Sequence, residues 1–389
     1  MKPLLPLLLL FCMGLAQTTP RVPASGAEVI EHLPRRADPA QQELLRLRAE
    51  LAANPRDLAL ATRVAQRYIA TARSQTDPRY YGYAQAALAP WWSMPAPPNA
   101  VRLLRATLLQ STHHFPEALA DLDAIIAADP RNVQAWLTRA TVATVRGDYA
   151  GATANCARLS SMASQLVAIA CIGNVGALTG KLAQSEALLD ATLQRSDADA
   201  DMQTWVLTLL AEMAQRRGDA VLAETRFKRA LALAPQDSYL LGAYADFLLE
   251  QRRAADVLRL LKDQGRIDSL LLRTALALQQ TPGQDAALRA ASAELGARFA
   301  AAMQRADTVH QREQARYTLL LVGDAKAALA LAQQNWTVQK EIADTRILLE
   351  AALKAGDRAA AAPVLAWLQQ HQQEDVHLAR LSTQLGARS

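Results

Sequence analysis

The segment NVQAWLTRATVATVRGDYAGATANC, residues 132–156, contains the feature that decides the fold. Its Gly147-Asp148 pair separates two stretches that are rich in small and apolar residues. Glycine readily adopts the left-handed conformation that ends a helix, and aspartate accepts backbone N–H bonds at the start of the next helix. The segment therefore predicts two helices joined by a tight turn.

The same pair recurs further along the chain together with its apolar neighbours. Gly-Asp also stands at 218–219, 323–324 and 356–357, and an alanine follows five residues after each of the four glycines. The distances between the glycines are close to whole multiples of about 34 residues, a period typical of helical-hairpin repeats. We interpret each Gly-Asp pair as the turn between the two helices of one repeat.

Arginine precedes two of these pairs and creates Arg-Gly-Asp, the tripeptide of cell-adhesion ligands, at 146–148 and 217–219. The turn requires Gly-Asp whatever residue precedes it, and arginine is common in this chain. We therefore interpret both tripeptides as turns and not as adhesion sites.

Around the turns the sequence resembles the tetratricopeptide repeat, in which small residues, an aromatic and a proline recur at fixed positions. The best copy matches at Trp136, Ala140, Gly147, Tyr149 and Ala152. The resemblance implies an all-α fold. It would be an α-solenoid, a right-handed superhelix of roughly ten stacked helix–turn–helix units whose first helices line the concave side.

The N-terminus predicts export. Residues 1–16 combine one basic residue, a short apolar run and small residues before the Ala16–Gln17 bond, as in a cleaved secretory signal peptide. The apolar run is too short to span a membrane. Lipidation at Cys12 is the alternative, but it would place Phe11 where a small residue is needed. We expect a periplasmic or secreted protein.

These patterns divide the chain into six segments. The repeat resemblance is strongest in the fourth segment, fair in the sixth, and lacks the Gly-Asp frame in the fifth. The segments are a signal peptide (1–16), a flexible Pro-rich linker (17–40), N-terminal repeat-like hairpins (41–98), core repeats (99–250), degenerate hairpins (251–310) and C-terminal repeats (311–389).

Cys156 and Cys171 are predicted to form a disulfide. Cys156 lies on a second helix and Cys171 on the following first helix, at similar distances from a loop near Ser164. Antiparallel helices bring such residues together, and an exported compartment would oxidise them. Closing this short loop would stabilise the fold by about 3 kcal/mol in the chain-entropy account. Two unpaired buried thiols are the alternative.

The resemblance also implies where a partner would bind. In tetratricopeptide proteins, partner peptides contact fixed positions of the first helices, and none of the matching positions here carries the basic and Asn side chains of the carboxylate clamp of one subgroup. By register, the matching positions are Leu103, Thr107, Gln134, Leu137, Thr141, Thr144, Trp205, Thr208 and Glu212. A second candidate contact is Trp91-Trp92, which either packs the end of its helix or forms an exposed aromatic hot spot.

Motifs for metal binding and catalysis are incomplete. Asp197, Asp199 and Asp201 begin like a calcium loop, but Met202 and Thr208 stand where Gly and Glu are needed. We expect these carboxylates to favour the start of a helix near Thr204. The six histidines lack metal-ligand spacing, and neither a nucleophile elbow nor a phosphate-binding loop is present.

The sequence thus predicts an exported, non-catalytic scaffold that binds a protein or peptide in its groove, with envelope-complex assembly as the process. We expect no cofactor, no metal and no membrane span. The net charge of +5 comes from interspersed charges, which disfavours nucleic acid. An accessory subunit of an envelope enzyme or transport system is one alternative, and an enzyme without a recognisable motif is another.

Overall fold

The computed structural model describes residues 39–75, 77–305 and 309–386. The predicted signal peptide, Cys12 and nearly all of the predicted linker lie outside these ranges. Every regular element in the described part of the chain is a helix, as the sequence predicts.

The described residues form 21 α-helices, and α17 continues directly into a π-helical segment, Thr318–Val322. The first eleven helices are α1 (Pro39–Ala53), α2 (Leu58–Gln75), α3 (Arg79–Ala87), α4 (Ala89–Trp92), α5 (Asn99–Ser111), α6 (Phe115–Ala128), α7 (Val133–Arg146), α8 (Tyr149–Leu159), α9 (Gln165–Ala177), α10 (Leu182–Gln194) and α11 (Ala200–Arg217). The remaining ten are α12 (Ala220–Leu233), α13 (Ser238–Glu250), α14 (Ala254–Leu260), α15 (Asp268–Gln279), α16 (Asp285–Gln304), α17 (Gln311–Tyr317), α18 (Ala325–Val338), α19 (Ile342–Ala355), α20 (Arg358–His371) and α21 (Val376–Gly386).

Successive helices pair as antiparallel hairpins, from α2–α3 to α19–α20, and the hairpins stack as a right-handed α-solenoid. The predicted fold class is confirmed. Two helices flank the hairpins: α1 packs against α2, and α21 packs against α19. The core continues from one hairpin to the next, because small residues such as Ala140, Ala152 and Ala223 are completely buried where helices approach each other.

The Gly-Asp turns have the predicted conformation. Gly147 ends α7 with φ of 80°, and the Asp148 carboxylate accepts the Gly151 N–H at 2.9 Å to cap α8. The pairs at 218–219, 323–324 and 356–357 repeat both features. One boundary was wrong: α11 begins at Ala200 instead of near Thr204, because the Asp199 side chain caps the helix by accepting the Met202 N–H.

The superhelix closes on itself. The Lys340 N–H donates to the Val145 carbonyl at 2.7 Å, and the Leu182 N–H donates to the Glu374 carboxylate, 192 residues away, also at 2.7 Å. We call this contact the seam: the turns around Gly147, Gly180 and Gly218 meet Trp367 and the loops 339–341 and 372–376. Along the seam, the concave side is therefore the wall of a lumen, which remains partly open to solvent.

Candidate functional site

The lumen contains a cavity of about 970 Å³, which we call the lumen cavity. Its walls come from the first helices α7, α9, α11, α13, α15, α17 and α19, together with α21 and the loop at 340–341. The prediction that first helices line the concave side is thus confirmed. Charged side chains share these walls with apolar ones such as Leu209, Leu276 and Ile347.

Asp246 on α13 holds two arginines at the cavity wall. The Arg316 Nη1 lies 2.7 Å from the Asp246 carboxylate, and Arg273 forms a second ion pair with it. Burial alone would raise the pKa of Asp246, but the two guanidinium groups hold it at about 2. Arg273 also donates to the Gly242 carbonyl at 3.0 Å, which fixes its orientation. This group carries one excess positive charge.

Glu250, one helical turn after Asp246, connects opposite sides of the lumen. It accepts a bond from Gln215 on α11 at 2.7 Å and pairs with Arg346 on α19, 96 residues away. His377 on α21 lies 3.0 Å from the same carboxylate. Burial opposes ionisation of Glu250, yet His377 and Arg346 keep its pKa below the usual range. The lumen is therefore narrow enough here for side chains to bridge it.

Glu212 on α11 differs from these paired carboxylates. Its side-chain hydrogen-bond partner among the described residues is the Tyr239 hydroxyl, which donates to it at 2.7 Å. Burial raises the pKa of Glu212 to about 7, and the negative charges of Glu341 and Asp246 act in the same direction, while the Tyr239 hydrogen bond and the positive charge of Arg216 oppose the rise. Tyr239 keeps 65% of its surface accessible within the cavity. Glu212 is thus a carboxyl group for which an incoming positive charge would be favourable.

Two further arginines hold the wall near the seam. Arg312 pairs with Glu341 at 2.8 Å and lies 3.4 Å from the fully buried Asp344. The Arg216 Nη2 donates to the carbonyls of Ala177, at 2.6 Å, and Glu374, at 3.0 Å. Arg216 therefore connects the cavity wall to the loop 372–376, and its acceptors are backbone carbonyls instead of a carboxylate.

The structure brings only some of the predicted groove residues to the cavity. Thr144 and Glu212 line it. Thr208 is buried and donates to the Thr204 carbonyl at 2.8 Å, and Trp205 lies on the same helix, partly exposed. The other five residues lie on α5 and α7 outside the cavity lining, and they are Leu103, Thr107, Gln134, Leu137 and Thr141.

The other predicted sites have structural partners. Trp91 and Trp92 are half-buried against the core of α2, α3 and α5, and the Trp92 carbonyl accepts a bond from Arg105. Cys156 and Cys171 form a disulfide, with their sulfurs 2.01 Å apart. Among the described residues, no group of three or more His, Cys, Asp or Glu side chains is placed to hold a metal ion.

Sequence reasoning missed most of the charged cavity residues. Eight of them occur as pairs four residues apart on α11, α13, α17 and α19, where i and i+4 side chains share one face. The pairs are Glu212 and Arg216, Asp246 and Glu250, Arg312 and Arg316, and Arg346 and Glu350. This regular spacing was the available signal, because i and i+4 side chains on a first helix share one face.

No protein-family model matches the chain, and no curated protein matches it. Among solved structures, a tetratricopeptide repeat protein from Parabacteroides merdae is similar, with 13% identity, a TM-score of 0.38, and coverage of 80% of this chain and 98% of the other. The Cut9–Hcn1 hetero-tetramer of the APC/C is similar with 14% identity and a TM-score of 0.41, over 89% of this chain and 60% of that one.

A third similar structure is the tetratricopeptide domain of P58(IPK), with 15% identity, a TM-score of 0.24, and coverage of 89% and 92%. The chain has a tetratricopeptide-type fold. This assignment rests on its own hairpins and on the four capped Gly-Asp turns. No helix in the described ranges is both long and apolar enough to cross a membrane.

Proposed function

We propose that this chain is a non-catalytic scaffold that holds a segment of a partner protein in the lumen cavity. The observation that carries the proposal is the cavity itself, because about 970 Å³ lined mainly by first helices can accommodate a sizeable ligand. The lining alternates apolar side chains with charges of both signs, so it suits a peptide better than a uniformly charged or uniformly apolar ligand.

Glu212 indicates that the proposed partner segment carries a positively charged residue. A lysine or arginine from the partner beside this carboxyl would favour its ionised form and would form a charge-assisted hydrogen bond. The Asp246, Glu250 and Glu341 carboxylates already have internal cationic partners. The partner segment therefore carries a basic residue that faces Glu212 and Tyr239, flanked by apolar residues.

Export forms part of the same proposal. Residues 1–16 support it through their signal-peptide pattern, and the disulfide supports an oxidising compartment. The process we propose is the assembly of envelope complexes. Mass spectrometry of the protein recovered from its own cells tests the export step, because cleavage as proposed leaves Gln17 at the N-terminus.

The binding proposal is tested by filling the cavity. Ala243, which lines it on α13, is changed to Trp, and the matched control Val221→Trp places the same side chain on an exposed outer position of α12. Crosslinked capture from the native cells identifies candidate partners for both variants and the unmodified chain. A synthetic peptide from a candidate is then titrated into all three by calorimetry.

We expect binding to be lost with Ala243→Trp and retained with Val221→Trp. A lysine-to-alanine change in the peptide should weaken binding to the unmodified chain but change little with Glu212→Gln. Equal affinity of Ala243→Trp and the unmodified chain for every captured partner would refute the lumen as the binding site.

A further inference from the structure

His371 lies in the seam with aromatic rings on two sides. It stands in the last turn of α20, where the Trp367 ring of the same helix has its centroid 4.0 Å from that of the imidazole. The Tyr149 ring of α8 meets the imidazole edge-on, with the centroids 4.9 Å apart. Tyr149 belongs to an early hairpin and His371 to a late one, so the imidazole is part of the contact that closes the superhelix.

The imidazole of His371 has no polar group to stabilise a second proton. Its Nε2 atom is buried and has no hydrogen-bond partner among the described residues. The Gln373 amide, which lies nearby, donates to the Tyr149 hydroxyl at 2.7 Å instead. A protonated imidazole carries an N–H donor on both nitrogens. Charging His371 in the closed superhelix would therefore bury a donor and a positive charge without an acceptor.

The charged groups on the elements around His371 are each engaged with another group. They are Asp148 before α8, Arg216 on α11, Lys340 and Glu341 in the loop 339–341, and Glu374 and Asp375 in the loop 372–376. The last turn of a helix favours a cation, but burial outweighs this preference. Burial lowers the pKa of His371 below its ordinary value of 6.5, and no neighbouring charge offsets it.

A second histidine stands on the early side and faces late hairpins. His113 lies in the turn between α5 and α6, with φ of 61°. Burial lowers the pKa of His113, and the charges of Arg312 and His310 act in the same direction. The carboxylates of Glu341 and Glu313 oppose this shift without reversing it. Early and late hairpins thus each contribute one histidine that the closed superhelix keeps neutral.

The seam is a contact that can open while the hairpins stay folded. Turns and loops meet across it, whereas the two helices of a hairpin pack along their length. Single backbone N–H groups make two of its hydrogen bonds, from Lys340 to Val145 and from Leu182 to Glu374. Contacts of this limited extent open at a lower free energy than the core of the hairpins.

We propose that the seam is an acid-sensitive contact, which opens when His371 and His113 are protonated. A histidine whose pKa is lower in the closed form stabilises closure fully above pH 6.5, and this contribution is lost as the pH falls below that value. Opening would also move the loop 340–341 and α21 away from the lumen cavity, which they line. The inference does not depend on what occupies that cavity.

Two cavity carboxyl groups titrate in the same pH range with the opposite sign. The pKa of Glu212 is about 7 and that of Asp344 is about 6, both raised mainly by burial. The folded chain favours the protonated form of each group, so acid is stabilising there. Protonation of His377 would likewise strengthen its contact with Glu250, which lies 3.0 Å away. A loss of closure in acid therefore has to come from the seam histidines.

The test is hydrogen exchange of the full chain, with its disulfide intact, followed by mass spectrometry. The amides that report opening are Leu182 and Lys340, whose N–H groups bond across the seam. Exchange is measured from about pH 7.5 to about pH 5, where histidine titrates, and is corrected for its intrinsic pH dependence. The Leu222 and Ala360 amides, which bond to aspartates of their own turns at 3.1 and 3.0 Å, are the reference.

The variants remove the titration and keep the shape of each site. His371→Phe retains an aromatic ring between Tyr149 and Trp367, and His371→Gln is a second, polar replacement. His113→Asn introduces a residue that tolerates the left-handed conformation. The matched control is His114→Asn, at the exposed neighbouring position.

We expect protection of the two seam amides to fall below pH 6.5, by at most about tenfold per pH unit for each histidine, with the reference amides unchanged. Chains that combine His113→Asn with either replacement of His371 should keep their protection, and His114→Asn should behave like the unmodified chain. Constant protection of the seam amides in the unmodified chain, or an equal loss in the combined variants, would overturn the proposal. An equal loss at the reference amides would also overturn it, because the hairpins would then unfold together with the seam.

Discussion

The turns at Gly147 and Gly356 have nearly the same local structure and opposite surroundings. Both glycines are left-handed, with φ of 80° and 70°, and an aspartate caps the following helix after each. Gly147 is buried beneath Trp367, while Gly356 is exposed. The comparison teaches that the repeat sequence determines the conformation of the turn. Whether the turn is buried depends on residues about 190 positions away in the sequence.

The largest effect we predict is a difference between Gly147→Ala and Gly356→Ala. Both variants force alanine into a left-handed conformation, which costs about 1–2 kcal/mol. Only the Cβ at 147 would lie 2.5 Å from the Trp367 ring, so overpacking adds about 1–3 kcal/mol there. We expect chemical denaturation to show a loss of about 2–5 kcal/mol for Gly147→Ala and about 1–2 kcal/mol for Gly356→Ala.

Trp367→Ala provides the check on that difference. With the ring removed, the cost of Gly147→Ala should fall close to that of Gly356→Ala, because the remaining near contact, the Lys340 Cδ at 3.1 Å, belongs to a flexible side chain. If Gly147→Ala costs the same extra free energy with and without Trp367, the seam does not make the difference between the two turns.

The disulfide lies on the covered side of this comparison. It joins α8 and α9, whose core is packed against Ile342 and Trp367 of the C-terminal hairpins. Replacing Cys156 and Cys171 together by alanine should lower the free energy of unfolding by about 3 kcal/mol, the chain-entropy value for a loop of about 15 residues. Adding a reductant to the unmodified chain should give a similar loss. Labelling of the denatured, unreduced chain should detect no free thiol from this pair, and two free thiols would contradict it.

Local sequence patterns were sufficient for the features that are local in the chain. The Gly-Asp turns and the cysteine pair each depend on residues within one or two hairpins, and the patterns predicted where they lie. The seam could not be predicted in this way. The pitch of a superhelix accumulates from small rotations between successive hairpins, so a slight change in each one decides whether Glu374 reaches Leu182.

The same argument explains the outcome for the candidate site. Register placed Thr144 and Glu212 correctly on the first helices, and both line the cavity. Register could not show that Leu137 and Thr141 on α7 lie outside the lining, because the cavity exists only where later helices such as α19 and α21 approach across the lumen. The charged i and i+4 pairs on the first helices were the sequence feature that could have indicated the cavity lining.

A smaller predicted effect is a pH dependence of stability that comes from Glu212 in the lumen cavity. The pKa of Glu212 is raised above that of an unfolded glutamate, so the protonated form is favoured by folding. Its contribution to stability is complete below pH 4 and is lost as the pH rises through about 7. The loss is at most about 3 kcal/mol and smaller where water screens the carboxyl.

Glu212→Gln should remove this dependence, because glutamine stays neutral. We expect the difference in unfolding free energy between the variant and the unmodified chain to change between pH 5 and pH 9. Glu350→Gln, which removes another cavity carboxylate, serves as the matched control. Parallel pH curves for Glu212→Gln and the unmodified chain would show that Glu212 does not titrate as proposed.

The smallest difference we predict is between Asp148→Ala and Asp357→Ala. Each aspartate accepts one backbone N–H, from Gly151 at 2.9 Å and from Ala360 at 3.0 Å, and both side chains are exposed. Removing such a cap costs about 1 kcal/mol. Because each bond is made within its own turn, the two losses should agree within about 0.5 kcal/mol in denaturant titrations. A clearly larger loss at Asp148 would mean that the seam depends on the cap as well as on Gly147. Asp148 would then stabilise both its own turn and the contact between early and late hairpins, so the two contributions could not be separated at that residue.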